Sequence, residues 1–203
     1  MSSKIDPKLR DAIDLASNWL DYISYNKRIP SVSFGIIKDD KLIYSKNFGF
    51  KNLEKREVPS HNTAYRIASI SKSFTAVAIL QLAEKGKIHL DDCVSTHLDW
   101  FRSDFDKNLN NITIRQILCH CSGLTREPDT NCWLDDKFPD AEQIKAYISK
   151  KPTAFSPFKI WKYSNLGYCI LGLLIEKISG KKYEEYVKKH IIKKLHMTHT
   201  APD

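Results

Sequence analysis

The sequence predicts an α+β fold in which a short strand-bearing part precedes a longer, mainly helical one. Three observations predict it. Apolar residues recur at three- and four-residue steps before residue 27, a period-two run doubles back on itself within 31–45, and helical spacing returns beyond about residue 65. With 203 residues, 42% of them hydrophobic, the chain has the material for a core, and overall disorder is not expected. The expected division is a helix and β-hairpin over 1–65 and a mainly helical part over 66–203, within one domain overall.

Taken in order, Leu9, Ile13, Ala16, Trp19, Leu20 and Ile23 form the apolar face of an amphipathic helix over 7–27. Residues 31–37 and 41–45 then flank Lys38-Asp39-Asp40, a charged break of the kind that turns a hairpin, and 47–51 reads as a third strand. After a polar stretch, Ile70, Phe74, Val77, Ala78, Leu80 and Leu82 mark a helix that stops at Lys85-Gly86, with glycine at the C-cap. Shorter helices are expected over 113–119 and 140–149, with Thr113 and Asp140 as N-caps, and a long apolar one over 166–178 stops at Gly180. There is no internal repeat or low-complexity tract. A lone hairpin is marginal in water, so the sheet should need further strands or a helix to cover it.

The formal charge is +8, from 32 Lys and Arg against 24 Asp and Glu. The lysines are scattered beside acids, as in Lys181-Lys182-Tyr183-Glu184-Glu185, which is the pattern of a solvated surface rather than of a nucleic-acid footprint. Five cysteines without Cys-x-x-Cys spacing read as free thiols, and Cys119-His120-Cys121 lacks the second ligand pair that a zinc site needs, so no metal is expected. No apolar run reaches the roughly eighteen residues of a membrane span, and the first residues lack a signal-peptide core. The expected location is the cytosol.

Ser-x-x-Lys on a helix places a hydroxyl and an ammonium one turn apart on the same face, where they can share a proton. The tetrad occurs four times here, at Ser24, Ser69, Ser156 and Ser179, so it does not by itself select a nucleophile. Ser69 alone opens an apolar helix, where backbone N–H groups and the helix dipole favour a developing oxyanion.

The stretch Tyr65-Arg66-Ile67-Ala68-Ser69-Ile70-Ser71-Lys72-Ser73-Phe74 resembles the active-serine segment of class C β-lactamases and their esterase and peptidase relatives. Leu118-Cys119-His120-Cys121-Ser122-Gly123-Leu124 is similar to that family's Leu-x-His-Thr-Ser-Gly-Leu segment, and Tyr163-Ser164-Asn165 to its Tyr-x-Asn motif. The resemblance implies a β-lactamase/transpeptidase-like fold and a penicillin-recognising serine hydrolase acting through an acyl-enzyme on an amide or ester, with a small-molecule or peptide substrate and no cofactor. It implies Ser69 as nucleophile, Lys72 as the organising cation, Tyr163 as base and Asn165 as the residue that bonds Lys72 and orients substrate. On the residues alone, Tyr163 also reads as a core tyrosine and Asn165 as the cap of the helix that follows, while His120 reads as a structural loop residue.

The pattern departs from the family in three places. Cys121 stands where threonine is usual, and Phe158 follows Pro157 where relatives commonly have glycine. The third motif, Lys-Thr-Gly or His-x-Gly, has no counterpart in these 203 residues. In the family its strand supplies the second oxyanion donor, so the fold is expected to be incomplete, without the C-terminal strands. The alternative reading is a truncated, catalytically silent fragment serving as a binding or regulatory module, or one completed by another chain or a second copy through the exposed sheet edge.

Overall fold

The computed structural model describes residues 6–128, 138–150 and 153–202. The chain divides into two compact units, Met1–Arg66 and Ile67–Asp203.

In the first unit, helix α1 (Pro7–Asn26) starts where Asp6 accepts a hydrogen bond from the backbone N–H of Lys8, with Pro7 at the first helical position, where its missing N–H loses nothing. Strands β1 (Ser31–Lys38) and β2 (Lys41–Gly49) pair antiparallel as a two-stranded sheet. Asp39 and Asp40 both take positive φ, the primed-turn geometry that matches the twist of a hairpin. The segment read as a third strand belongs instead to β2, which continues to Gly49, because Asn47 and Phe48 find partners in Ser33 and Val32 at the same register. Helix α1 lies on β2, with Ile13 buried and Ser17 hydrogen-bonded to the Tyr44 hydroxyl at 2.8 Å. Trp19, expected on the packing face, is 58% exposed. It shares a stripe with the exposed Leu15 and Tyr22, at the four- and three-residue steps of an outer face.

Among the described residues the regular structure of the second unit is helical, apart from a single bridge between Cys93 and Thr113. Its axis is the pair α2 (Ser71–Glu84) and the long apolar helix α6 (Asn165–Ser179). Ala78, Ile79 and Leu82 of α2 and Leu166, Ile170, Leu171, Leu174 and Ile175 of α6 are buried in one core. Between them in sequence come α3 (Lys107–Asn110), α4 (Ile114–Leu118) and α5 (Ala141–Ile148), and α7 (Tyr183–Val187) follows α6. Thr113 and Asp140 cap α4 and α5 as reciprocal capping boxes with Gln116 and Gln143. Gly180 ends α6 in the left-handed region at φ 67°. Among the described residues no helix is long and apolar enough to cross a membrane. Of the five cysteines, Cys93, Cys119 and Cys121 carry free thiols, and Cys132 lies outside the described residues.

Candidate active site

Ser69 lies in a single 3-10 turn, Ala68–Ile70, that runs directly into α2 and leaves its side chain exposed at that helix's N-terminus. Ala68 holds φ 44°, a left-handed conformation that is unfavourable for alanine and marks the turn presenting Ser69. One turn on, Lys72 donates to Ser69 Oγ at 3.3 Å and to Asn165 Oδ1 at 2.5 Å. The Tyr163 hydroxyl donates to Ser69 Oγ at 2.5 Å, and Lys72 Nζ stands 4.9 Å from the centre of its ring. Two segments 94 residues apart in sequence thus meet at one oxygen. The packing of α2 on α6 brings them together, since Ser69 precedes one helix and Tyr163 precedes the other.

None of the other three Ser-x-x-Lys serines has such surroundings. Ser24 donates to the Ile29 carbonyl, Ser179 bonds the backbone of Lys181, and Ser156 lies in a loop. Tyr163 has no core-tyrosine role, because its hydroxyl is directed to Ser69 rather than to backbone. Asn165 is not the cap of α6. That position is held by Ser164, whose hydroxyl accepts from Gly167 N and donates to the Thr125 carbonyl, leaving the Asn165 amide free to face Lys72.

Electrostatics around Tyr163 oppose each other. Burial raises its pKa, but its contacts with Lys72 and Ser69 and the charges of Lys72 and Arg126 together outweigh burial and hold it below the ordinary phenol value. His120 stacks on Tyr163 with ring centres 4.5 Å apart and on Tyr168 at 5.1 Å, and accepts from the Ser164 N–H at Nδ1. Burial, then the charge of Lys72, lowers the His120 pKa, which suits a neutral ring that accepts this bond. The His120 segment also turns sharply at Gly123, where φ is 81° and a Cβ would come within 1.9 Å of the Phe155 carbonyl oxygen. Only glycine fits there.

Three neighbours were not legible in the sequence. Arg126 and Trp161 line an open pocket of about 430 Å³ with Ser69, Tyr163 and Asn165. Glu127 accepts a short hydrogen bond from Asn165 Nδ2. Arg126-Glu127 sits in an irregular loop with no periodicity, where a charged pair reads as ordinary solvated surface. The arrangement offers a nucleophilic hydroxyl, a phenol able to take its proton, and a cation bridging both to an oriented amide.

Residues 9–201 match the family model described as Beta-lactamase. The chain belongs to the β-lactamase family. It is 33% identical over 173 residues to Protein flp of Staphylococcus aureus, an alignment covering 85% of this chain and 35% of that protein. Among solved structures it is similar to the octameric penicillin-binding protein homologue from Pyrococcus abyssi, with TM-score 0.81 and 32% identity, covering 91% of this chain and 43% of that one. A class C β-lactamase in complex with cefoxitin shares the fold at TM-score 0.81 and 24% identity, covering 96% of this chain and 52% of that one. The fold is therefore β-lactamase/transpeptidase-like, and the chain spans between about a third and a half of the length of these relatives.

Proposed function

We propose that this chain carries the nucleophilic half of a serine hydrolase site that forms an acyl-enzyme on an amide or ester, a β-lactam, a D-amino-acid peptide or a simple ester being the substrate class. The observation that carries the reading is the convergence of Tyr163 Oη, at 2.5 Å, and Lys72 Nζ, at 3.3 Å, on Ser69 Oγ. Both lie within or just beyond the reach needed for proton transfer. In the reactive state Tyr163 is a phenolate and accepts the Ser69 proton as Oγ bonds to the substrate carbonyl carbon. The tetrahedral adduct then collapses. The bond from carbon to the leaving nitrogen or oxygen breaks, and Tyr163 returns the proton to that leaving group. Water then bonds to the acyl carbon and gives its proton to Tyr163, and as the bond from that carbon to Ser69 Oγ breaks Tyr163 passes the proton to Oγ, releasing the acid. Lys72 stays a cation throughout, stabilising the phenolate, and Asn165 holds it in place. No metal or organic cofactor enters these steps.

The test is intact mass after exposure to a fluorophosphonate or a penicillin, in the wild type and in Ser69→Ala. Adduct formation that depends on Ser69 supports the reading, and labelling that persists in Ser69→Ala overturns it. A folded wild type that takes no label favours the second reading, a silent binding or regulatory module.

Assembly is part of the same proposal. Among the described residues the sheet has two strands, and its outer edges are a template for a strand from a second copy or another chain. The Pyrococcus abyssi homologue is octameric, and self-association of this chain would show as a mass that grows with concentration in light scattering. A constant monomer mass with one cooperative unfolding transition would exclude it.

A further inference from the structure

The Asn165 amide lies between two groups of opposite hydrogen-bonding character. Lys72 Nζ can only donate, and it meets Asn165 Oδ1 at 2.5 Å. The Glu127 carboxylate can only accept, and it takes Nδ2. Turning the amide over would set donor against donor and acceptor against acceptor, so Glu127 leaves one orientation. The backbone makes this meeting determinate. Asn165 N and Leu166 N both donate to the Arg126 carbonyl, at 2.9 and 3.2 Å, and Ser164 Oγ donates to the Thr125 carbonyl at 2.7 Å. The loop 125–127 is thereby tied to the first turn of α6, one residue from the carboxylate. Glu127 keeps only 22% of its side chain exposed, and its other charged neighbour, Arg126 Nε, is at 3.6 Å.

We infer that Glu127 is a positioning residue, which holds the Asn165 amide with its oxygen on Lys72 and so keeps the Lys72 ammonium between Ser69 and Tyr163. Nothing in the family motifs assigns this carboxylate, and its catalytic consequence rests on the function proposed above. One Nδ2 proton is committed to Glu127, so a substrate carbonyl has the other to use. With the acceptor removed, the amide can rotate and Lys72 can leave the Tyr163 ring, and Tyr163 then loses the largest influence that lowers its pKa. Among the described residues, the charged and titratable groups around this cluster are Lys72 from α2, His120 after α4, Arg126 and Glu127 from the loop that follows, and Tyr168 from α6, whose ring centre lies 5.5 Å from Lys72 Nζ.

The experiment has two arms on the full chain, with Glu127→Ala and Glu127→Gln compared after circular dichroism confirms folding. The first follows the rate of Ser69 labelling by a fluorophosphonate against pH. Glu127→Ala is expected to slow labelling by roughly 10- to 100-fold and move its pH midpoint upward, as misplaced catalytic groups do. Glu127→Gln, which keeps an acceptor, restores part of the rate. A wild-type rate in Glu127→Ala, a slower rate with an unmoved or lowered midpoint, or a Glu127→Gln as impaired as Glu127→Ala overturns the inference. The second arm reads the Asn165 side-chain amide by NMR, assigned by its loss in Asn165→Ala. Its proton bonded to the carboxylate is expected downfield in the wild type and displaced upfield in Glu127→Gln; an unchanged resonance overturns the inference. This arm needs no labelling. A wild type that takes no label therefore counts against the proposed function, while the amide resonance still decides the role of Glu127.

Discussion

At Tyr163 the opposing influences of burial and neighbouring charge leave the phenol below its ordinary pKa, and the sign of that shift makes a prediction. In the proposed reaction the form that accepts the Ser69 proton is the phenolate. A lowered pKa means more phenolate at any given pH, so Ser69 labelling should rise with pH through a midpoint below the usual phenol value of about 10. Lys72→Ala removes both the contact and the charge that favour ionisation. Its labelling midpoint is expected at higher pH than that of the wild type, measured as a pH–rate profile by intact mass. A second residue carries backbone strain. Phe158 sits at φ 62° and is 64% exposed, at the place where the resemblance to the family leads one to expect glycine. Phe158→Gly relieves a left-handed penalty of about 1–2 kcal/mol, partly offset by the greater freedom of glycine when unfolded. A net gain of up to about 1 kcal/mol is expected in chemical denaturation. The departure was visible in the sequence; that Phe158 adopts the glycine conformation all the same was not, because φ depends on the bond from its N–H to the Cys121 carbonyl.

Elements were the more legible level. Thr113 and Asp140 announce α4 and α5 because capping is local chemistry, a side-chain oxygen accepting from an N–H three residues ahead. The start of α6 was harder, since Ser164 and Asn165 are both good caps and only the position of Lys72 decides which side chain turns outward. Ser164 is 1% exposed, and its hydroxyl serves both Gly167 N and the Thr125 carbonyl. Ser164→Ala should cost about 1–2 kcal/mol in urea unfolding, at the upper end for a cap because a buried acceptor is orphaned with it. Gly123→Ala should cost more, at least about 2 kcal/mol, since a methyl group there collides with a backbone oxygen that cannot swing away.

Across the whole molecule, apolar burial is uneven. Among the described residues, the unit Met1–Arg66 has Ile13 and Phe48 as its buried hydrophobic side chains, whereas the core of Ile67–Asp203 runs through α2, α4, α5 and α6. Hydrogen exchange of the intact chain should therefore show α2 and α6 protected well beyond β1 and β2, and equal protection would contradict this view of where stability lies. Residue order alone determined the α+β class, the hairpin, the stops at Gly86 and Gly180, and Ser69 as the one Ser-x-x-Lys serine at the head of an apolar helix, because periodicity, caps and turn chemistry act over a few residues. The tertiary structure decided what depends on distance across the chain. It extended β2 to Gly49, turned Trp19 outward, gave the cap of α6 to Ser164, and brought Tyr163, Asn165 and Glu127 around Lys72. Those meetings follow from α2 packing on α6, and no local pattern encodes which residues two packed helices will bring face to face.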